Sequence, residues 1–307
     1  MDTHSEIALE SRHGRPTDSF TEELSAWLDR LSTLDIDFVI EGETGTGKDT
    51  FARTLYDLSD LTGPFIGINC AAIPDTLAEA ELFGSVPGAY TGAQKSRIGH
   101  IEASHNGILF LDEIDSMSPQ LQAKLLRVLE TRSVMRLGST DIHPVNLRVI
   151  GAAQKPLSQL VDEGVFRSDL FFRLSTVKIA LPSLREKVET IIPHFQRFAI
   201  EAAFRYKRPL PALNQSLTES LLLHRWPGNL RELKAAAMRF VLGIQVLEPT
   251  RTYRSWTLKD RMARIESCLI KDCLTRHNNQ VIDAAEELGI PSRTLYNKLK
   301  ALNGIGK

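Results

Sequence analysis

The segment Gly42-Glu43-Thr44-Gly45-Thr46-Gly47-Lys48 limits the possible folds more than any other stretch of this chain. It has the GxxxxGK spacing of a phosphate-binding loop. Such a loop works only where a buried strand stops and a helix starts, because successive backbone N–H groups and the helix N-terminus together form an anion cradle. Both flanks meet that demand: Asp37-Phe38-Val39-Ile40 is a short apolar run before the loop, and Phe51 and Leu55 after it share one helical face. Lys48 would place a point charge on the β- and γ-phosphates of ATP. The residue after Lys48, usually Ser or Thr, is Asp49. The hydroxyl ligand for Mg2+ then moves to Thr50 or is replaced by water, which magnesium tolerates because it normally keeps several waters.

Three further runs, Phe65-Ile66-Gly67-Ile68, Ile108-Leu109-Phe110-Leu111 and Leu147-Arg148-Val149-Ile150, are short and apolar, as strands buried on both faces are. Helical patterns separate them; Leu121, Leu125, Val128 and Leu129 fall on one face. Strand–helix alternation over residues 19–184 predicts a parallel α/β sheet. Over 185–243 only helical patterns occur, which predicts a lid or second subdomain. Residues 244–256 read as a linker and 257–307 as helical again. Residues 1–18 are polar and lack the apolar core of a signal peptide, so they read as a leader.

Composition adds bounds on function. No segment approaches the ~18 apolar residues that span a bilayer. Cys70, Cys268 and Cys273 are odd in number and lack CxxC spacing. That argues against a disulfide framework or a zinc site and for a reducing cytoplasm. Net charge is −1, unevenly placed: residues 251–307 hold eleven Lys/Arg against six Asp/Glu, or +5, which leaves −6 on the rest. A basic tail on an acidic body points to nucleic acid as the tail's partner.

The run Ile108–Leu111 ends in two carboxylates, Asp112 and Glu113. After a phosphate loop, this pair suits ATP hydrolysis: Asp112 holds Mg2+ through water and Glu113 activates the attacking water. Asn69, at the end of a neighbouring strand, either hydrogen-bonds Glu113 and holds it back or caps a turn. Arg167 and Arg173 lie six apart, hence on different helical faces; either would suit an arginine finger acting on a neighbouring subunit's nucleotide, or a surface ion pair. Arg231 follows Pro227-Gly228 in the predicted lid, where an arginine would report loss of the γ-phosphate.

Near the C-terminus, residues 279–300 read as a helix–turn–helix. Val281, Ala284, Ala285 and Leu288 face inward, Gly289 turns, and Ser292 caps a second helix with Leu295 and Leu299 inward. Arg293, Thr294, Asn297, Lys298 and Lys300 are then left for groove and phosphate contacts. The preceding helix carries a stripe of Met262, Ile265, Leu269 and Cys273 suited to dimerisation. Between the two ATPase motifs sits Gly88-Ala89-Tyr90-Thr91-Gly92-Ala93. Its glycines reach positive φ without steric cost, and its one large side chain, Tyr90, is placed to touch a partner.

GETGTGK, ELFGSVPGAYTGA, LDEID, FRSDLFFRL, LPSLRE and WPGNLREL, in this order, resemble the bacterial enhancer-binding proteins, AAA+ activators of sigma-54 RNA polymerase. The resemblance covers about 20–243 and the C-terminal helices. It implies an AAA+ P-loop three-layer sandwich, a helical lid and a small all-α, Fis-like DNA-binding domain. It implies ATP and Mg2+ as cofactors and a cytoplasmic hexameric ring, made of one chain or of two paralogues, that binds upstream enhancer DNA. The ring would remodel the sigma-54 closed complex. The residues from Gly88 to Ala93 would contact sigma-54, and Lys48, Asn69, Asp112, Glu113, Arg167, Arg173 and Arg231 would take the roles above. Asp49 is ordinary in this family. Three positions depart: Tyr90 stands for Phe, Ser85-Val86-Pro87 stands for a charged lead-in, and Ala153-Gln154 stands for Thr-Asn or Thr-His. The first motif comes too early for an N-terminal receiver domain, so control would come from expression, an inhibitory partner or a co-activator. That short layout is most similar to the regulators of type III secretion in plant pathogens, with virulence genes as targets. A phage-shock-type stress activator, or a non-catalytic DNA-binding regulator with a nucleotide switch, is the alternative.

Overall fold

A computed structural model describes residues 19–89, 95–247, 257–277 and 279–304. The chain divides into two compact units. One comprises Trp27–Ser183 and the short stretch Gly228–Arg231; Leu184–Pro227 and the chain from Glu232 belong to the other.

The first unit is built on a five-stranded sheet. Its strands are β1 (Phe38–Glu41), β2 (Phe65–Asn69), β3 (Ile108–Asp112), β4 (Arg148–Ala153) and β5 (Lys178–Ala180). They are ordered β2-β3-β4-β1-β5, and all neighbours are parallel. Every residue of β1 and β4 is buried, as are Ile108–Leu111 of β3. This is why these runs are apolar rather than alternating, apart from Glu41 and Arg148 at the strand ends. Each such Leu, Ile or Phe contributes about 1.5–3 kcal/mol by leaving water. The helix Pro119–Thr131 buries Leu121, Leu125, Val128 and Leu129, the face expected from their spacing.

β5 is absent from the reading of the sequence. It has three residues, of which only Ile179 is buried, too short a run to show a period. Buried carboxylates pin both ends of β1. Asp37 accepts from Val149 N at 2.9 Å and pairs with Arg132 at 2.6 Å. Glu41 accepts from Leu157 N at 2.9 Å and lies 3.5 Å from Lys178. Buried charge is tolerated only where it is paired in this way.

In the second unit, helices Ile191–Tyr206 and Gln215–Leu223 contribute Phe195, Phe198, Leu221 and Leu222 to a buried core. The Phe195 ring meets Phe240 at 5.4 Å. Trp226 is fully buried, and its Nε1 donates to Leu221 O at 2.9 Å. The last three helices, Leu258–Arg276, Val281–Glu287 and Ser292–Gly304, surround Ile270, Cys273, Leu274, Ala284, Ala285 and Leu295. Among the described residues no helix is long and apolar enough to cross a membrane.

Candidate functional site

The residues from Gly42 to Gly47 leave β1 and lead into the helix Lys48–Asp57, as the motif requires. Thr46 N and Oγ1 both donate to Glu43 O, at 3.3 and 2.8 Å, closing the loop. Lys48 Nζ donates to Gly42 O at 2.6 Å and Glu43 O at 3.0 Å. Gly45 has φ +80°, and a Cβ there would lie 2.3 Å from Gly228 O. Only glycine fits both the conformation and the space.

The stretch Gly228–Arg231 closes over this loop. Leu230 N donates to Gly45 O at 2.9 Å. The side chain of Asn229, fully buried, donates to Thr44 O at 2.9 Å and to the Glu43 carboxylate at 3.3 Å. Arg231 is thereby brought near Lys48, whose pKa is lowered first by burial and to a smaller extent by the Arg231 charge. Arg231, expected in the lid, lies instead in the short stretch that belongs to the sheet unit; Asn229 and Leu230 escaped the sequence reading, because their partners lie so far away in the chain.

Asp112 and Glu113 emerge at the end of β3. Glu113 has left-handed backbone, φ 53°, and its N donates to Asp112 Oδ1 at 3.1 Å. Such strain, of order 1–3 kcal/mol, is held by surrounding structure and clusters at functional positions. The Glu113 carboxylate accepts from Gln154 Nε2 at 2.8 Å. Asn69 stands beside Asp112 in the strand register, but its Oδ1 accepts from Ala71 N and Ala72 N at 2.9 and 3.1 Å. Of the two readings of Asn69, the structure has the turn cap, and the amide on Glu113 is that of Gln154. Asn69 is drawn to its own backbone because the turn Cys70–Ala72 starts with two N–H groups facing it.

Electrostatics tie these groups together. Burial lowers the Lys48 pKa, while Asp112, Asp115 and Glu113 raise it. Burial pushes up the carboxyls of Asp112 and Asp115, and Lys48 pulls against it. The Cys70 thiol is pushed up to about 12, first by burial and then by the same three carboxylates. Three carboxylates against one lysine leave net negative charge, and Asp115 Oδ1 is buried without a hydrogen-bond partner. An oxygen-only donor set of this charge fits a hard divalent cation such as Mg2+. Asp49 instead meets Arg53, at 3.1 Å, and Thr50 is exposed on the same helix.

The other expected site residues fall as follows. Arg167 is exposed and pairs with Asp169 at 2.7 Å. Arg173 donates to Leu129 O at 2.9 Å and lies 3.5 Å from buried Asp37. Of the hexapeptide, Gly88 and Ala89 follow Gly84–Ser85, which pairs antiparallel with Arg97–Ile98. Gly88 has φ +85° with open space around it. Tyr90, Thr91, Gly92 and Ala93 lie outside the described residues.

On the helix Ser292–Gly304, Arg293, Tyr296, Asn297 and Lys300 are exposed at i, i+3, i+4 and i+7, hence on one face. Thr294 is half-buried. Lys298 leaves that face to pair with Glu266 at 2.6 Å. Tyr296 was missed, since an aromatic between leucines reads as core. Ser292 is the first helical residue rather than a cap; Pro291 O accepts from Thr294 N and Leu295 N. Of the stripe ahead of the motif, Cys273 is buried while Met262 and Leu269 are exposed.

A parallel sheet carrying this loop and carboxylate pair, followed by a helical subdomain, defines an AAA+ nucleotide-binding protein. The pattern described as "Sigma-54 interaction domain" matches residues 17–180, "AAA+ ATPase lid domain" 185–251, and "Bacterial regulatory protein, Fis family" 261–302. The chain is 54% identical over 295 residues to the pathogenicity locus probable regulatory protein WtsA of Pantoea stewartii, covering 93% of this chain and 91% of that one. It is 50% identical to the corresponding HrpS of Pseudomonas syringae pv. syringae, covering 89% and 91%. Among solved structures, NtrX from Brucella abortus in complex with ADP aligns with a TM-score of 0.72 at 26% identity, over 98% of this chain and 72% of that one. NtrX in complex with ATP gives 0.70 at 28%, over 97% and 73%. The chain therefore belongs to the sigma-54 activator family: it is a sigma-54-dependent transcriptional activator with a Fis-type DNA-binding domain.

Proposed function

We propose that this activator hydrolyses ATP and spends the cycle on remodelling the sigma-54 closed complex at pathogenicity genes. The observation that carries the reading is the meeting of Lys48, Asp112 and Glu113 beside one phosphate loop, with Glu113 oriented by Gln154. Gly42, Glu43, Thr44, Gly45, Thr46 and Gly47 bind phosphates through backbone N–H groups. Lys48 exchanges its carbonyl partners for β- and γ-phosphate oxygens. Asp112, with Asp115 beside it, would hold Mg2+, which when bound neutralises phosphate charge. Asp49 and Thr50 border that site. Glu113 takes the proton of the attacking water, and Gln154 fixes the carboxylate's direction. Arg231 senses the γ-phosphate from the stretch that clamps the loop.

Arg167 and Arg173 serve the nucleotide of a neighbouring subunit, so turnover needs a ring, built of one chain or with a paralogue. Gly88, Ala89, Tyr90, Thr91, Gly92 and Ala93 form the sigma-54 contact. Arg293, Asn297 and Lys300 contact enhancer DNA, with Thr294 and Lys298 beside them. The setting is cytoplasmic, and an inhibitory partner would restrain the ring. Names of the relatives at 49–54% identity support the pathogenicity role.

The test is ATP turnover at high protein concentration, with Glu113→Gln as control, alongside transcription from a sigma-54 promoter. We expect turnover in the wild type and nucleotide binding without turnover in Glu113→Gln. Tyr90→Ala should keep turnover and lose activation. A wild type that binds ATP, activates transcription and never turns over would leave the nucleotide as a switch only.

A further inference from the structure

We propose that Cys273, His277 and Glu287 form a binding site for a thiophilic divalent cation of the zinc type, at the base of the DNA-binding hairpin. Cysteine spacing alone argued against zinc, because no CxxC occurs. The fold assembles a different set. Cys273 and His277 are one helical turn apart, His277 continuing the turn through its N–H to Cys273 O at 3.1 Å. The third donor, Glu287, ends the next helix, Val281–Glu287. Their ligand atoms, one thiol, one imidazole and one carboxylate, all lie within 4.8 Å of one another.

The chemistry of the set is selective. Sulfur and imidazole nitrogen favour zinc over magnesium or calcium, which take oxygen. Zinc–ligand bonds of about 2.0–2.3 Å at tetrahedral angles put donor atoms roughly 3.3–3.6 Å apart, so His277 Nε2 and Glu287 Oε2, now 2.5 Å from each other, must part by about 1 Å to admit the ion. The ring and the carboxylate supply that movement, because both are partly exposed whereas the sulfur is fully buried. At present His277 Nε2 and Glu287 Oε2 share a hydrogen bond at 2.5 Å, and Cys273 Sγ donates to Ala284 O at 3.5 Å. An entering cation replaces both bonds. The thiol releases its proton to solvent, so thiolate and carboxylate balance the 2+ charge, and water takes the fourth position. Arg276 pairs with the other oxygen, Glu287 Oε1, and can keep it, orienting the ligand from behind.

Such a clip would tie the helix Leu258–Arg276 to the first helix of the DNA-binding pair, just before Gly289 turns the chain into the exposed Arg293 face. A hydrogen-bonded pin between the two helices is the alternative role of the same residues.

Titration of the full-length, chelator-stripped protein with Zn2+ against a chromophoric chelator decides between them. We expect one equivalent per chain, a rise in thermal midpoint, and a thiolate charge-transfer band with Co2+. Cys273→Ala should abolish the band. His277→Ala and Glu287→Gln, at partly exposed positions that leave the core intact, should each weaken zinc at least about tenfold. Asp112→Asn and Cys70→Ala should change neither. Zinc uptake that is absent, or unaltered in His277→Ala and Glu287→Gln with their circular dichroism unchanged, would leave only the pin.

Discussion

The proposed function has two regions of this chain meet phosphate, by opposite means. At the loop Gly42–Lys48 the donors are backbone N–H groups and one buried lysine, with the carboxylates of Asp112, Asp115 and Glu113 acting on that lysine. On the helix Ser292–Gly304 the donors are exposed side chains, Arg293, Asn297 and Lys300, standing on one face. The first arrangement can be exact about one phosphate chain because its parts are held in place by burial and loop geometry. The second can follow a long, uniform backbone because its parts move independently and stay in water, where each is worth little alone.

If the comparison holds, removing the single buried cation must cost far more than removing any exposed one. Lys48→Ala should lower ATP turnover by about 10²–10³-fold, the loss typical of one preorganised charge at a reacting centre. Enhancer DNA binding, measured at the same protein concentration with subunit exchange controlled, should stay within error. A comparable loss at both ends would show that nucleotide and DNA sites are one cooperative device rather than two.

At the other end, Arg293→Ala should cost no more than about 1 kcal/mol in DNA affinity and reduce the slope of log K against log salt by about 1 if Arg293 meets a phosphate. Lys298→Ala should change affinity little, because that ammonium is already spent on Glu266 at 2.6 Å. A larger effect for Lys298 than for Arg293 would reverse the assigned face.

That contrast between Arg293 and Lys298 shows where a sequence stops being readable. Local rules found the loop, the strand ends and the inward face of the hairpin, since each depends on neighbours within one or two turns. They put Lys298 with the DNA contacts because charge on a recognition helix looks alike wherever it points. They could not bring Asn229 to Thr44 across most of the chain, nor choose for Asn69 between Glu113 and its own turn, because both choices are made by the folded backbone. β5 escaped for the same reason, a three-residue strand made by the edge of β1. Tyr90, the residue on which the sigma-54 contact turns, stays an expectation drawn from motif and family.

Beside the phosphate loop, Gln154→Ala should lower kcat about tenfold with KM little changed, since it orients the base and not the nucleotide. Asn69→Ala should act differently. It removes the cap on Ala71 and Ala72, costing about 1 kcal/mol of stability, and should show first in thermal unfolding. Equal losses of kcat in both would mean that Asn69 also reaches Glu113 during turnover.

The smallest effect tests the charge around the loop by a bystander. Cys70 begins the turn that Asn69 caps, and its thiol is pushed up to about 12 from the ordinary 9.0, chiefly by burial, then by Asp112, Asp115 and Glu113. The neutral thiol is the favoured form, so its contribution to stability is complete below the ordinary thiol value and is lost as pH rises towards about 12. At neutral pH Cys70 should therefore alkylate more slowly than a free thiol, read by mass spectrometry of its peptide. Asp112→Asn should quicken the reaction only slightly, because burial, not charge, is the larger cause. A strong acceleration would mean that the carboxylates dominate the field at this turn, and the buried site would then owe its order to charge more than to packing.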